Sequence, residues 1–434
     1  MTGLLQAALR QNRDKYVRLL QQLVRIDTRV IGHGIEGGRE LEGQRFLAQQ
    51  IEAAGGTAEF REVTEEKIQQ GIGKYGEGNP GHNYTSRPNL LGTFRGTGGG
   101  RSLLFNGHVD TMPYGDRSLW SFDPFSGAEV GGVIQGLGAT DMKGGLMAAL
   151  AAIDLVQSAG LKLKGDVYFQ SVIDEEGGGN GTLAFVVDGF AADAAVVCEP
   201  TDLHLQIGHM GFIFYKFSVL GRAIHSGRKW EGENAIAYAL KLIARLYEVE
   251  HKWLLTYKHP LLPAPTLNVG EIHGGDAGST VPASCEFKIC VHYYPGLAKD
   301  VIESDIMAAV RSLEAAEPWL RENPIKVECY QEGKPYEISR EHPLVKTAAS
   351  ILPEGKTITA SPAGNDARLL QNIAGIPTIV LGPGKPEQAH SIDESIPVED
   401  YLTAIYIYAN LLVKWCGVEL HTGGCNDEKG LVGR

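Results

Sequence analysis

Five side chains of the types that bind divalent metal ions lie in short segments typical of strand ends or loops. They are two imidazoles and three carboxylates: His108, Asp141, Glu176, Glu199 and His390. Such a set can hold two divalent ions if one carboxylate bridges them. Glu175, the neighbour of Glu176, would then remain free to act as a base. The set predicts a two-metal hydrolase.

Each of these residues also has a simpler explanation when it is considered alone. His108 and Asp110 alternate along a strand end, so the Asp110 carboxylate could accept the ring proton of His108, or the pair could be solvated in a loop. Asp141 could span two ions or cap the helix that follows it. Glu175 and Glu176 would diverge on a strand, one toward metal and one toward water, although a lone Glu-Glu pair is usually a solvated turn.

The remaining candidates lie in loops. Glu199 stands between an apolar run and Pro200, and His390 follows a loop rich in Gly and Pro. A lone loop histidine more often has no catalytic role. His225 is either a surface residue or a donor to a developing oxyanion. The segment 366–368, Asp-Ala-Arg, could form an arginine–carboxylate clamp or merely cap a helix.

The segments between these residues predict an α/β fold. Apolar runs near 102–105, 166–173, 194–197 and 378–381 are typical of buried parallel strands, and the Ala-rich stretch 144–158 is typical of a helix. Alternating strands and helices favour a mostly parallel central sheet flanked by helices. Ligands bind beyond the carboxyl ends of the strands in such sheets, which is where the candidate residues fall.

The length and the pattern of the chain indicate two domains. A chain of 434 residues exceeds the size at which a single core keeps growing. The order strand, helix, two strands, helix, strand predicts an inserted α+β unit over residues 210–330. It would interrupt a discontinuous metal-binding domain of residues 1–209 and 331–434. Residues 66–100 are expected to form a long loop, and the tail after about residue 418 is expected to fray.

The overall composition restricts the partners and the compartment. A net charge of −12 argues against a nucleic-acid or anionic-membrane partner, because either would favour a basic patch. The six cysteines form no CxxC pair and are expected to be free thiols of a reducing compartment. The sequence shows neither a signal pattern nor an apolar stretch of transmembrane length, so we expect a cytoplasmic enzyme.

Taken together, the motifs resemble those of the co-catalytic zinc metallopeptidase and deacylase family that includes acetylornithine deacetylase, succinyl-diaminopimelate desuccinylase, aminoacylase and carboxypeptidase G. The resemblance extends from about Tyr16 to Trp415. It rests on Gly-His-Val-Asp, Gly-x-Gly-x-Thr-Asp-Met-Lys-Gly-Gly, Asp-Glu-Glu-Gly, Glu-Pro and Ala-His-Ser-x-Asp-Glu. It implies a zinc-peptidase-like catalytic domain, with the 210–330 unit as a lid and dimerisation domain.

The resemblance implies a role for each candidate metal ligand. Asp141 would bridge two divalent ions, Zn²⁺ or alternatively Co²⁺ or Mn²⁺. His108 and Glu199 would complete one ion site, and Glu176 and His390 would complete the other.

The resemblance also implies roles for residues that bind no metal. Glu175 would take the proton of a water between the ions and later protonate the leaving amine. Asp110 would be the partner of the first metal-binding histidine. His225 would reach the active site of the neighbouring subunit in a homodimer formed through the inserted unit. Asn268 and Gly364 would line the substrate region.

One departure from the family pattern concerns the substrate. Relatives commonly carry Arg before the Pro-Gly that ends the lid strand, whereas His292 occurs in Val-His-Tyr-Tyr-Pro-Gly here. The resemblance favours hydrolysis of an N-acyl amino acid or a related small N-acyl amine. A dipeptidase or carboxypeptidase is the alternative, and His292 favours a deformylase or deacylase that acts on a heterocyclic amine. A catalytically dead metal-binding scaffold is the non-enzymatic alternative, against which the intact ligand set argues.

Overall fold

Eleven α-helices connect the strands within residues 2–419, which the computed structural model of the chain describes. The helices are α1 (Thr2–Val24), α2 (Leu41–Ala53), α3 (Glu65–Tyr75), α4 (Gly144–Ser158), α5 (Asn180–Val187), α6 (Ala235–Thr256), α7 (Lys299–Ala316), α8 (Pro318–Glu322), α9 (Pro343–Ala349), α10 (Ala367–Asn372) and α11 (Val398–Cys416). Helix α4 is buried along most of its length and packs between α1 and α11, which its small alanines permit. Among the described helices, none combines the length and the apolar composition that crossing a membrane requires.

The strands of the described residues form four sheets of two, nine, four and three strands. They are β1 (Val30–Ile31), β2 (Gly37–Gly38), β3 (Thr57–Arg61), β4 (Asn89–Phe94), β5 (Leu103–His108), β6 (Ala128–Val130), β7 (Val133–Gln135), β8 (Val167–Val172), β9 (Ala195–Val197), β10 (Leu205–His209), β11 (Gly211–Leu220), β12 (Thr266–Gly274), β13 (Ser284–Tyr293), β14 (Lys326–Gly333), β15 (Tyr336–Glu337), β16 (Ile358–Ser361), β17 (Thr378–Val380) and β18 (Ser395–Pro397).

The nine-stranded sheet has a parallel centre and antiparallel flanks. Its order is β15-β10-β17-β9-β5-β8-β4-β3, with β16 paired to β10. Strands β17, β9, β5 and β8 run parallel side by side, and β4 and β10 begin the antiparallel flanks. Leu103 and Phe105 pack into a core with α1, α4 and α11, whereas Leu104 faces a second core with α5 and α10. Both faces of the centre are therefore covered by helices, and the predicted α/β fold is confirmed.

The four-stranded sheet is antiparallel, in the order β12-β13-β11-β14. Burial alternates along β11 and β13 because one face packs on α6 and α7 and the other face does not. Ile213, Phe287 and Ile289 belong to the covered face, and Phe212 and His292 belong to the open face. This separate core is what an inserted 210–330 unit would require, and the domain boundaries stay a prediction.

The predicted long loop over residues 66–100 is wrong, because it contains most of helix α3 and all of strand β4. Helix α3 begins at a standard cap, in which the Thr64 side chain accepts a hydrogen bond from the backbone N–H of Lys67. It ends at Gly76, which adopts a left-handed conformation with φ of 69°. The expected fraying after about residue 418 falls almost entirely outside the described residues.

Candidate metal centre and cleft

The five predicted metal ligands meet at the carboxyl edge of the parallel centre of the main sheet. His108 is the last residue of β5, Glu176 follows β8 and Glu199 follows β9. Asp141 lies in the turn that precedes α4, and His390 lies in the loop after β17. Because β17, β9, β5 and β8 are neighbours, their ends place these side chains within reach of one another.

Asp141 lies between the two imidazoles and presents a different oxygen to each. Its Oδ1 is 3.1 Å from Nε2 of His108, and its Oδ2 is 3.4 Å from Nε2 of His390. Nε2 of His108 is also 3.8 Å from Oε1 of Glu199, and Nε2 of His390 is 2.9 Å from Oε2 of Glu176. The five side chains therefore form one continuous group centred on Asp141.

Glu175 belongs to the same group. One oxygen of Glu175, one of Glu199 and a ring nitrogen of His108 all lie within 4.8 Å of one another. Burial raises the pKa of Glu175 well above its ordinary value, and burial raises the pKa of Glu199 in the same way. Burial would also raise the pKa of Asp141, but the hydrogen bond with His108 lowers it overall.

The chemistry of this donor set fits divalent metal ions. Two imidazoles and four carboxylates point at one another in a partly buried cleft. Carboxylates crowded in this way repel each other unless a cation offsets their charge, and nitrogen and oxygen donors of this kind suit Zn²⁺, Co²⁺ and Mn²⁺. Residues 108, 141, 176, 199 and 390 would hold the ions.

The predicted contact between His108 and the carboxylate of Asp110 is replaced by a backbone contact. Nδ1 of His108 is 2.8 Å from the backbone oxygen of Asp110 and 3.8 Å from Oδ1 of its carboxylate. The carboxylate instead accepts hydrogen bonds from the backbone N–H groups of Glu175 and Glu176, at 3.4 and 3.2 Å. Asp110 therefore fixes both the tautomer of His108, through its carbonyl, and the turn that carries the two glutamates.

Two residues to which the sequence analysis assigned no role, Glu394 and Gly145, fix the segment around Asp141 and the helix that follows it. The buried carboxylate of Glu394 accepts hydrogen bonds from the backbone N–H groups of Gly138, Thr140 and Asp141, at 2.8 to 2.9 Å. Gly145 lies so close to the end of strand β9 that a methyl group on it would be 1.9 Å from the carbonyl oxygen of Cys198, the next residue. The glycine thus serves the packing of α4 against the segment that leads to Glu199. Glu394 is the last residue of the Ala-His-Ser-x-Asp-Glu motif, but the motif alone assigned it no role.

A cleft of about 300 Å³ opens over the candidate ligands. Its other wall is formed by the turn Ser361–Asn365, which includes the predicted substrate residue Gly364. Phe212, on the open face of the four-stranded sheet, would be in van der Waals contact, at 3.4 Å, with a methyl group placed on Gly364. The antiparallel register pairs His292 directly with Phe212. His292 therefore lies beside the cleft wall, and burial lowers the pKa of its imidazole.

Two of the predicted site residues, His225 and Asn268, are exposed and are not among the residues that line this cleft. His225 lies on an exposed loop, where its Nδ1 accepts a hydrogen bond from the backbone N–H of Gly227. Asn268 is exposed on strand β12, opposite Cys290. A contribution of His225 to catalysis would therefore have to come from a second subunit, as the resemblance implies.

The predicted arginine–carboxylate clamp forms with a different acid. Nε of Arg368 is 3.3 Å from Glu77, a buried acid within the supposed loop, and is not paired with Asp366. Arg368 also donates to the backbone oxygens of Asn365 and Gly178. The clamp thus ties the cleft wall to the turn after Glu176. The acid could not be identified from sequence because nothing local links two residues so far apart.

An α/β sheet with this donor group at its carboxyl edge, below a cleft of substrate size, defines a metal-dependent hydrolase. Comparison with known proteins agrees with that class. The chain belongs to the peptidase family M20/M25/M40, whose model matches residues 104–414. It is a metal-dependent amidohydrolase, as the sequence analysis predicted.

The similar proteins include two kinds of deacylase. The chain is 33% identical over 360 residues to an N-formyl-4-amino-5-aminomethyl-2-methylpyrimidine deformylase of Bacillus subtilis, covering 77% of this chain and 84% of that protein. It is 33% identical over 321 residues to an acetylornithine deacetylase of Vibrio parahaemolyticus, covering 72% and 81%. Its fold is similar to that of an M20 family metallo-carboxypeptidase of Sulfolobus solfataricus, with a TM-score of 0.71, 18% identity and coverage of 92% and 98%.

Proposed function

We propose that the protein hydrolyses the amide bond of a small N-acyl amine with two divalent ions, of which Asp141 is the shared ligand. The observation that carries this proposal is the position of Asp141, whose two oxygens face two different imidazoles. A carboxylate that bridges two ions needs such an arrangement. His108 and Glu199 would complete one ion site, and Glu176 and His390 would complete the other. Zn²⁺ is the proposed metal, with Co²⁺ and Mn²⁺ as alternatives.

The ions would polarise the amide carbonyl and make water more acidic. Glu175 would take a proton from the attacking water and hold it on its carboxylate. Burial raises the pKa of Glu175, which would favour retention of that proton until it is delivered to the leaving amine nitrogen. Asp110 would keep Glu175 in place through the backbone hydrogen bond described above.

The role of Glu175 is tested by the isosteric change Glu175→Gln. We expect kcat to fall by about 10²- to 10⁴-fold, with the metal content unchanged, because the amide cannot take up the proton. Glu66→Gln on the exposed face of α3 is the matched control and should retain full activity. A Glu175→Gln variant with wild-type kcat on N-acyl substrates would refute the assignment.

We further propose a homodimer in which His225 of each subunit stabilises the oxyanion in its partner's cleft, with the 210–330 unit closing as a lid. What supports this is the exposure of His225 and its absence from the cleft of its own chain. Neighbouring Trp230 is 76% exposed, which is unusual for a large aromatic side chain and typical of an interface.

Subunit mixing tests this arrangement. His225→Ala and Glu175→Gln are each expected to be inactive alone. After random exchange, half of the dimers are mixed and each contains one complete site, so about a quarter of wild-type activity should return. If a mixture shown to be dimeric stays inactive, the partner role of His225 is wrong.

The amine part of the substrate is an amino acid in an N-acyl amino acid, and an uncharged heteroaromatic amine is the alternative. The cleft wall at Gly364 is backed by Phe212, and the imidazole of His292 beside it has a lowered pKa. An aromatic ring and a neutral imidazole favour a flat, uncharged group over a carboxylate. The Bacillus subtilis relative is named for the removal of a formyl group from such an amine.

A substrate panel separates these possibilities. N-formyl, N-acetyl and N-succinyl derivatives of ornithine, diaminopimelate and an aminomethylpyrimidine would be compared by kcat/KM, with dipeptides included. Preference for the pyrimidine should fall in Phe212→Ala, whereas preference for amino-acid derivatives would contradict the heteroaromatic alternative. We also propose a cytoplasmic location, supported by the free thiols within residues 2–419, which are Cys198, Cys285, Cys290, Cys329 and Cys416.

A further inference from the structure

A cluster of buried charged side chains lies directly behind the turn that carries Glu175 and Glu176. Arg87 donates from Nε to Oε2 of Glu40 at 3.0 Å, and from Nη2 to Oε1 of Glu40 at 2.6 Å and to Oδ1 of Asp174 at 3.1 Å. Glu40, Arg87 and Asp174 are each 1% exposed or less. The hydrolytic steps proposed above do not use this cluster.

The other oxygen of Asp174 is also occupied. Its Oδ2 is 2.7 Å from Nδ1 of His82 and accepts a hydrogen bond from Nδ2 of Asn180 at 3.1 Å. Arg87, His82 and Asn180 therefore approach the Asp174 carboxylate from three different segments of the chain. No rotation of this side chain is possible without loss of at least one contact.

The backbone of Asp174 turns the chain sharply before the two glutamates. Asp174 has φ of 63°, a left-handed conformation that residues other than glycine rarely adopt. A methyl group on Gly34 would lie 2.1 Å from Oδ1 of Asp174, and one on Gly177 would lie 2.8 Å from the same atom. The surrounding chain is thus closed tightly around this carboxylate.

Stability alone is a weak explanation for such a cluster. Replacing a buried ion pair by apolar side chains of similar volume is often neutral or stabilising, because the pair must be desolvated. The left-handed conformation of a residue other than glycine also strains the backbone. The strained turn is held by fully buried charges and lies one residue before the proposed base. It is better explained by a need to orient the side chains of Glu175 and Glu176 toward the cleft.

We propose that Asp174 is a positioning residue, and that its contact with Arg87 sets the directions in which Glu175 and Glu176 enter the cleft. The inference rests on the proposed function, because it takes Glu175 as the base and Glu176 as a metal ligand. Positioning depends on the negative charge of the Asp174 carboxylate and on the contacts that its two oxygens make with different side chains. The left-handed backbone is the consequence of those contacts, which hold the turn against its strain.

Three variants separate the effect of the Asp174 side-chain contacts from the effect of its left-handed backbone conformation. Asp174→Asn keeps the shape of the side chain and tolerates the left-handed conformation, but removes the charge. Asp174→Gly relieves the backbone and removes all contacts. Arg87→Lys keeps a charge and removes the fork that reaches Glu40 and Asp174 together. Phe287→Leu, in the core of the four-stranded sheet, is the control for loss of stability without change at the cleft.

The readouts are kcat, KM and the visible spectrum and affinity of Co²⁺ added to the full-length protein. We expect all three variants to lose about 10- to 100-fold in kcat and to change the Co²⁺ spectrum, with KM nearly unchanged. Phe287→Leu should lower the melting temperature and leave kcat and the spectrum as in the wild type. If Arg87→Lys does not fold, the isosteric Asp174→Asn keeps the inference testable.

Two results would overturn the positioning role. One is wild-type kcat and Co²⁺ spectrum in Asp174→Gly, which would mean that only the backbone conformation matters. The other is a loss of kcat in Asp174→Asn that disappears on cooling, which would indicate stability alone. If the wild type hydrolyses no amide, the proposed function fails, whereas the Co²⁺ spectrum still tests whether Asp174 directs Glu176.

Discussion

Glu394 offers a quantitative test of how the candidate centre is held together. Its Oε1 accepts the N–H groups of Thr140 and Asp141, and its Oε2 accepts that of Gly138. The Glu394→Gln side chain keeps one oxygen, which can still accept from Thr140 and Asp141. Its amide NH₂ group replaces the oxygen that accepts from Gly138. One buried hydrogen bond is therefore lost, at a cost of about 1–3 kcal/mol. Glu394→Ala leaves three buried donors unpaired and should cost at least about 3 kcal/mol.

The cost would be measured by denaturant unfolding in the presence of a chelator, so that bound metal does not contribute. Glu399→Gln on the exposed first turn of α11 is the control and should stay within about 0.5 kcal/mol of the wild type. An alanine variant of Glu394 as stable as that control would refute the reasoning. Metal affinity should fall with stability, by about 10- to 100-fold, since Glu394 positions the backbone of Asp141.

The same variant has a defined dependence on pH. Burial raises the pKa of Glu394 from an ordinary 4.5 to about 8. The folded state therefore binds a proton more tightly than the unfolded state, and the resulting stability is fully present below about pH 4.5 and lost as the pH rises through about 8. The difference in unfolding free energy between the wild type and Glu394→Gln should shrink over this range. A difference that grows with pH would contradict the assignment.

Two further predictions concern packing and protonation. Gly145→Ala should destabilise the protein by about 3 kcal/mol or prevent folding, because its methyl group would lie 1.9 Å from the Cys198 carbonyl oxygen; Gly73→Ala, a helical site with no atom within 4 Å, is the control and should not destabilise it. The hydrogen bond with Glu176 raises the pKa of His390 to about 9, so a metal ion must displace a proton there. Zn²⁺ affinity, measured by chelator competition, should rise at least about tenfold per pH unit from pH 7 to 9, because the pKa values of His108 and Glu199 are also raised; affinity independent of pH would contradict this.

The meeting of the candidate metal ligands at one edge of the sheet was predictable because these residues carry local signals. His108 and Glu199 each end an apolar run, and a polar residue at that point of a parallel strand projects toward the ligand-binding edge. Such runs are recognisable because both faces of the central strands are buried. Each candidate ligand was a weak signal when it was considered alone. Their positions after successive predicted strands placed them together at one edge of the sheet.

Other parts were not predictable because they depend on distant residues or on turn geometry. The acceptor for His108 is the carbonyl rather than the carboxylate of Asp110, and only the path of the turn decides between them. The partner of Arg368 is Glu77, which lies at the end of α3. That helix was missed because Gly71 and Gly73 weaken its periodic pattern, although Thr64 and Gly76 mark its ends.

The order of strands in the main sheet has a consequence for the synthesis of the chain. Strand β17 lies between β9 and β10 in the sheet. Strands β9 and β10 are close in sequence, but neither can form its hydrogen bonds with β17 until that strand has been synthesised. His390, which follows β17, is 214 residues from its partner Glu176. At about 5–20 residues per second, the ribosome needs on the order of 10–40 s to supply it. Until then β9 and β10 carry open edges, and four of the proposed metal ligands lack the fifth. Assembly of the complete proposed metal site therefore requires synthesis of the chain at least as far as His390.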